Sequence, residues 1–307
     1  MTGTARTVAI TGASGLIGRH LCDHFRRSGW TVRALMRDPS TYPFAERGID
    51  RFLLRLPDMI DAASLRGADV VVHAAYSTRG DRRGTERRVN EDGARRLFDA
   101  IRQTPAKTIF VSSLSAHEGA VSYYGRSKRA VEGLLDPSRD LIIRAGLVLA
   151  ADGGMAQRLW SFLMRAHVAP VFGGGRQIVQ TVHIEDLCIA FARAIELDLT
   201  ASVAVADPEG IRMRQLLTAM ARASRTWCAF VPMPAFLVAP LLRLSESLGL
   251  RFPVSADSLH GLMAMRRVDT QADLQKLGVR LRGPEESIAR LAPAMVSARN
   301  HRAGRVG

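Results

Sequence analysis

The sequence has 307 residues and is 47% hydrophobic, enough for one large α/β domain with a smaller partner and a true core. No stretch reaches the roughly eighteen consecutive apolar residues of a membrane-spanning helix, and Cys22, Cys188 and Cys228 are too few and too widely spaced for a disulfide framework or a zinc site. The net charge of +14 comes from arginines dispersed along the chain beside only three lysines, with no aromatic-plus-basic motif; this reads as a solvated surface and against a nucleic-acid partner.

The first predicted element is the apolar run Val8-Ala9-Ile10, suited to a buried parallel strand. Gly12, Gly15 and Gly18 follow at intervals of three, and Leu16, Ile17, Leu21 and Phe25 continue at helical spacing, so this stretch predicts strand, glycine turn and helix. The three glycines serve different physical ends. Gly12 permits the sharp turn, Gly15 the close approach of backbone to a pyrophosphate, and Gly18 the tight packing of helix on strand. Ser14 and the N–H groups opening the helix then face an anion. With the strand beginning at once, no signal-peptide pattern is read, and a cytoplasmic protein is expected.

Further strands are predicted at 30–36, 49–56, 68–75, 107–113 and 141–149, with helices at 85–102 and 122–135 and a short one closing at 64–67. The alternation predicts a parallel sheet covered on both faces, hence an α/β, Rossmann-type doubly wound fold. Beyond Ala150 the rhythm changes: helices are expected at 155–166, 185–197 and 211–224, strands at 178–182 and 202–206, and helical patterns near 235–248 and 255–265. Residues 1–150, joined by returning elements at about 177–206, are expected to form the nucleotide-binding core. Residues 151–176 and 207–307 form a smaller, mostly helical substrate-binding region whose basic tail, from Ser297, frays.

Tyr124 and Lys128 stand four apart on one predicted helix and so share a face. A tyrosine ordinarily titrates near ~10, and a neighbouring ammonium lowers that value. Such a phenol can exchange a proton with a carbinol or carbonyl oxygen that a serine hydroxyl also holds. Ser112 and Ser113 end the strand upstream. The missing part, a hydride carrier, has its binding site in the glycine turn.

These blocks, TGASGLIG at 11–18, VVHAA at 71–75, Val89-Asn90, VSS at 111–113 and YGRSK at 124–128, occur in the order found in the extended or atypical short-chain dehydrogenases/reductases, which the chain resembles from residue 7 to about 225. That group holds NAD(P)-dependent epimerases, dehydratases and reductases. The resemblance implies Ser113 as catalytic serine (Ser112 and Ser115 being the neighbours to distinguish), Tyr124 as acid/base, and Lys128 as its partner and as a ligand of the nicotinamide ribose. Asn90 carries over as a structural or relay residue. Ala74 and Ala75 lie where the loop passes the cofactor, and Asp58 and Met59 resemble the adenine-edge contact, with a helix cap the other reading of Asp58.

Cofactor choice is read at the end of the second strand, where NAD enzymes carry an acid. Met36 stands there and Arg37 follows; with Arg19, Arg37 suits a 2′-phosphate, so NADP is expected over NAD, with Asp38 the residue that would favour NAD. The relatives that act on sugar nucleotides follow the sixth strand with an R-x-x-N-V-Y-G-like stretch, whereas this chain reads Arg144-Ala-Gly-Leu-Val-Leu-Ala150 without the asparagine, which argues against a nucleotide-sugar substrate. His183 is expected to be a packing or hinge residue. The basic loop 79–88 reads as an acidic-group contact or a solvated helix start. Trp160, Leu163, Met164, Phe172, Phe236 and Met263 read as a greasy pocket or plain core.

The expected activity is hydride transfer between nicotinamide and a carbonyl or alcohol carbon of a small molecule. An epimerase or dehydratase that retains its cofactor uses the same trio, and a non-catalytic nucleotide-binding sensor or assembly factor is the reading of another class. No stable membrane insertion is expected, a surface role through 235–250 being a lesser reading. By analogy with the family, a homodimer would use the helices at 85–102 and 122–135.

Overall fold

The computed structural model describes residues 5–41, 48–77, 85–166, 168–233, 257, 261 and 264–303. In chain order, β1 (Thr7–Thr11) leads through the glycine turn into α1 (Leu16–Arg27), followed by β2 (Thr31–Met36), β3 (Ile49–Arg55), β4 (Met59–Ile60) and β5 (Val70–His73). Short α2 (Thr85–Arg87) and α3 (Gly93–Arg102) are joined by a π-helical turn at Arg88–Asp92, so the predicted single helix at 85–102 is one run with a π turn inside it. Then come β6 (Lys107–Ser113), α4 (Tyr123–Glu132), β7 (Leu141–Ala145), β8 (Leu147–Leu149), α5 (Gly154–Leu163), β9 (Val168–Phe172), β10 (Ile178–Val179) and β11 (Thr181–His183). The chain continues with α6 (Ile184–Glu196), β12 (Ala201–Val205), β13 (Ile211–Arg212), α7 (Met213–Ala223), β14 (Ala229–Met233), α8 (Gln271–Leu277) and α9 (Pro284–Ala303).

Eight strands form one sheet in the order β12-β7-β6-β5-β1-β2-β3-β4. The pairs β1–β2, β1–β5, β2–β3 and β5–β6 are parallel, and β4 turns back antiparallel on β3. The chain winds outward from β1 to β3, then returns to the other side of β1 with β5. That reversal is the Rossmann switch point, beside which such sheets bind ligands at their carboxyl ends. Val8, Ala9, Ile10, Val71 and Val72 are fully buried, as a sheet covered on both faces requires.

By compactness the chain divides into two units: Met1–Ala116, Ser127–Arg144 and Cys188–Val203 form one; His117–Arg126, Ala145–Leu187 and Ala204–Gly307 form the other. The first unit has a core of Leu35, Val71, Leu97, Phe98, Ile101 and Phe110. The second has its own, in which Trp160, Val179, Leu216, Met220 and Met295 pack together. It also holds the two-stranded pairs β8–β11 and β9–β14 (parallel) and β10–β13 (antiparallel).

The predicted strand 141–149 is two strands in two sheets. A Cβ at Gly146 would lie 2.4 Å from the Gln180 carbonyl oxygen and 2.7 Å from the Ala206 Cβ, and at this close approach the chain leaves β7 to pair with β11 as β8. The strand expected at 178–182 likewise divides into β10 and β11. The tail expected to fray from Ser297 is helical to Ala303 as part of α9. The patterns at 235–248 and most of 255–265 lie outside the described residues. Among the described residues no helix is long and apolar enough to cross a membrane.

Candidate active site

The glycine turn is fixed by two of its glycines and left open at the third. Gly12 has a φ of +66°, and a Cβ there would stand 2.6 Å from the Ala75 Cα. The turn therefore presses on the loop leaving β5, at the switch point. A Cβ on Gly18 would lie 2.2 Å from the Gly12 carbonyl oxygen, so α1 sits directly on the turn. Gly15 is different: it is exposed, its φ of −77° is open to any residue, and a Cβ would meet only the Gly12 carbonyl oxygen at 3.1 Å. Gly15 precedes the first residue of α1, Ser14 beside it is exposed, Leu16, Ile17 and Arg19 are half-buried, and the first turn of α1 carries no acid.

Beneath the turn the Thr11 hydroxyl oxygen accepts from the Ala75 N–H at 3.2 Å and bonds to His73 Nδ1 at 2.8 Å. The His73 ring is stacked on Phe110 and edge-on to Phe98. Burial, with Lys128 adding to it, pushes its pKa down to about 3, so it is neutral. Half-buried Ala74 and Ala75 thus form a braced loop. Asn90, buried in the π turn, clamps the continuation: its Oδ1 accepts from the Ser77 N–H at 2.7 Å and its Nδ2 donates to the Ser77 carbonyl at 3.0 Å. Of the two readings of Asn90, these contacts are the structural one.

At the end of β2, Met36 is buried while Arg37 is exposed. Exposed Asp38 beside it accepts at Oδ1 from the Ser40 N–H at 3.0 Å and hydroxyl at 2.6 Å, and these bonds hold its pKa below the usual carboxylate value. Asp58 caps no helix; it lies between β3 and β4 and pairs with Arg88 at 2.5 Å, with Met59 exposed beside it.

β6 ends in the two serines, whose surroundings differ. Buried Ser112 donates to Glu132 Oε1 at 2.6 Å, and Glu132 in turn accepts from both Nε and Nη2 of Arg144, at 2.8 and 2.7 Å. Half-buried Ser113 makes a lighter local contact, its Oγ accepting from the Ser115 N–H at 3.2 Å. Lys128 is 3% exposed and donates to the Val111 carbonyl at 2.6 Å. Its ammonium lies 4.6 Å from the ring centroids of both Tyr76 and Phe110. Burial pushes its pKa down to about 7 against the opposing charge of Glu132. The helix carrying it is capped by Ser122, whose Oγ accepts from the Gly125 N–H at 3.1 Å. The Asp257 carboxylate accepts from the Tyr123 N–H at 2.7 Å and the Tyr124 N–H at 3.4 Å. Tyr124 itself is half-buried.

Glu132, Arg144, Tyr76 and Asp257 were not foreseen from sequence. Only Glu132 carries a local signal, four residues beyond Lys128 on the same helix face. His183 is the packing residue expected: its buried ring meets the Arg282 guanidinium at 2.8 Å, and that guanidinium also pairs with Glu185 and Asp186. Trp160, Leu163 and Met164 belong to the second core, with the Trp160 indole N–H donating to Ser224, so the core reading holds for them. Phe236, Met263 and residues 79–84 of the basic loop lie outside the described residues; Arg87 pairs with Glu91. Among the described residues no cluster of His, Cys, Asp and Glu could hold a metal ion.

A parallel sheet with this strand order, a glycine turn at its switch point and a Y-x-x-x-K helix defines a dinucleotide-fold enzyme of the short-chain dehydrogenase/reductase type. Residues 8–203 match the model of the NAD dependent epimerase/dehydratase family, and the chain belongs to that family. Over 201 residues it is 35% identical to a ceramide reductase of Caulobacter vibrioides, an alignment covering 62% of this chain and 62% of that relative. It is 29% identical over 252 residues to a 3-diazoavenalumate denitrifying reductase of a Streptomyces species, covering 70% and 80% of the two chains. Among solved structures it is similar to MoeE5 in complex with UDP-glucuronic acid and NAD, with a TM-score of 0.73 and 19% identity, over 95% of this chain and 99% of that one. That likeness speaks to fold alone.

Proposed function

We propose that this chain is an NADP-linked reductase that moves a hydride between the nicotinamide and a carbonyl or alcohol carbon of an apolar, lipid-like molecule. The observation that carries the reading is Lys128, a buried ammonium held under the helix that also bears Tyr124. A lysine is costly to bury, and a purely structural helix has no need of one there.

The cofactor supplies or accepts the hydride. In the proposed site, the exposed Gly15 backbone and the opening N–H groups of α1 hold its pyrophosphate. Arg37 and Arg19 take the 2′-phosphate, and the bonding of Asp38 to Ser40 supports that choice. Asp58, Met59, Ala74, Ala75 and Asn90 border or brace the nucleotide. Ser113 donates a hydrogen bond to the reacting oxygen, and the Tyr124 hydroxyl exchanges a proton with it. Lys128 favours the phenolate electrostatically and holds the ribose.

Two observations support an apolar substrate over a sugar nucleotide. Where the sugar-nucleotide enzymes of the resemblance carry an asparagine, this chain has Leu147, which packs against the second core. The relative at 35% identity is named a ceramide reductase. The experiment is NADPH oxidation, followed by absorbance, against a panel of long-chain ketones and of UDP-sugars. Turnover of a long-chain ketone that falls at least about 100-fold in Tyr124→Phe supports the proposal; turnover confined to UDP-sugars overturns it. The family description supports a second reading, an epimerase or dehydratase with retained cofactor, which predicts nucleotide released only on denaturation of the purified protein.

A further inference from the structure

The second unit carries an open surface hollow of about 530 Å³, its arginines exposed, that the proposed chemistry does not use. Its wall is made by the Gly173–Gly175 turn and by α7, and Arg176, Arg212, Arg214 and Arg222 line it. One carboxylate, Glu285, also faces it. Several arginines elsewhere in the chain are matched by carboxylates: Arg26 with Asp23, Arg87 with Glu91, Arg193 with Glu196, Arg282 with Glu185. None of the four cavity arginines forms an ion pair or donates a side-chain hydrogen bond among the described residues.

The charge also stands at the wrong end of the helix. A helix N-terminus is positive and favours acids in its first turn. The first turn of α6 has Glu185 and Asp186, and that of α9 has Glu285 and Glu286. α7, like α1, α3, α4 and α5, has no acid in its first turn, and it presents Arg212 and Arg214 there. The wall is also built rather than loose. A Cβ on Gly175, whose φ is +68°, would lie 2.7 Å from the Arg214 Cβ and 2.6 Å from a Val171 methyl.

We infer that this cavity binds a di- or polyphosphate group, which the forked guanidiniums grip and the N-terminus of α7 complements. The inference is independent of the proposed hydride chemistry. The bearer is a soluble phosphorylated metabolite or a phospholipid headgroup, and the test separates the two.

Inorganic pyrophosphate titrated calorimetrically into the full chain saturated with NADPH, which occupies the glycine turn, against sodium chloride at matched ionic strength, should bind saturably with one equivalent. Arg176→Ala with Arg214→Ala should weaken that binding at least about tenfold; both substitutions keep the Cβ atoms that pack the wall. NADPH binding to the arginine variant should be unchanged. No saturable binding beyond the chloride control overturns the inference. So does binding that survives the double substitution. Flotation with phosphatidylcholine vesicles containing phosphatidic acid assigns the source. Arginine-dependent flotation means a headgroup; pyrophosphate binding without flotation means a soluble phosphate.

Discussion

The ammonium of Lys128 lies 2.6 Å from the carbonyl oxygen of Val111, two residues before Ser113 on the same strand. The bond ties the Y-x-x-x-K helix to the strand that ends in the serines, and it is made by a side chain almost wholly removed from water. With the rings of Tyr76 and Phe110 close by, the Lys128 side chain is fixed in position. Lys128→Met should therefore lower kcat/KM at least about 100-fold while the fold survives, since an apolar chain of similar length fits the same slot. Steady-state kinetics alongside circular dichroism checks both halves.

The glycine turn makes a prediction with two opposite signatures. Gly12→Ala meets the Ala75 backbone at a left-handed φ and Gly18→Ala meets the Gly12 carbonyl, so both should lower Tm. The left-handed conformation alone costs about 1–3 kcal/mol. Gly15→Ala, at an ordinary φ and with a single close contact at 3.1 Å to the Gly12 carbonyl oxygen, should lower Tm less than either and weaken dinucleotide binding about tenfold or more. Thermal melts and nicotinamide titrations of the three variants separate the roles.

Much of this site was legible in the sequence because its signals are local. Val8 to Phe25 carries strand, turn and helix in one stretch, and YGRSK places Tyr124 and Lys128 on one face whatever the rest of the chain does. What was not legible depends on distant partners. Gly146 breaks a uniform apolar run only because Gln180 and Ala206 come so close. The network of Ser112, Glu132 and Arg144 joins three elements, and no spacing along the chain announces it. β9 and β14 escaped notice because Pro170 and Pro232 interrupt them; they survive as a two-stranded pair in which Pro232 faces Val171. The polar, basic end from Ser297 read as fraying, yet it continues α9, which Ile288, Ala292 and Met295 anchor in the second core.

His73 should make stability depend on acid. Its folded pKa of about 3 lies below the ordinary 6.5, so between those values the unfolded chain binds the extra proton. Its contribution is complete above about pH 6.5 and is lost as pH falls toward 3, with a slope of at most about 1.4 kcal/mol per pH unit. Lys128 acts in the alkaline range: with a folded pKa of about 7 against 10.5, its burial penalty is relieved, and stability rises, as pH increases between those values. Denaturant melts from pH 4 to 10 test both. His73→Phe should flatten the acid limb and Lys128→Met the alkaline one.

Asp257 is predicted to position the helix bearing Tyr124. It accepts from the N–H groups of Tyr123 and Tyr124, so Asp257→Ala removes a cap worth about 1 kcal/mol. kcat should fall more than KM rises, and Asp257→Asn, whose amide oxygen still accepts the shorter bond from Tyr123, should recover part of the loss. Equal kinetics in the alanine and asparagine variants would remove this positioning role.

The most direct test of the central claim is a paired titration of the purified chain with NADPH and NADH, followed by nicotinamide fluorescence, on the wild type and on Arg37→Ala. Saturable binding of both is expected, tighter for NADPH, with that preference lost in Arg37→Ala while NADH binding is retained. Tighter binding of NADH, or no binding of either by a folded protein, would contradict an NADP-linked enzyme.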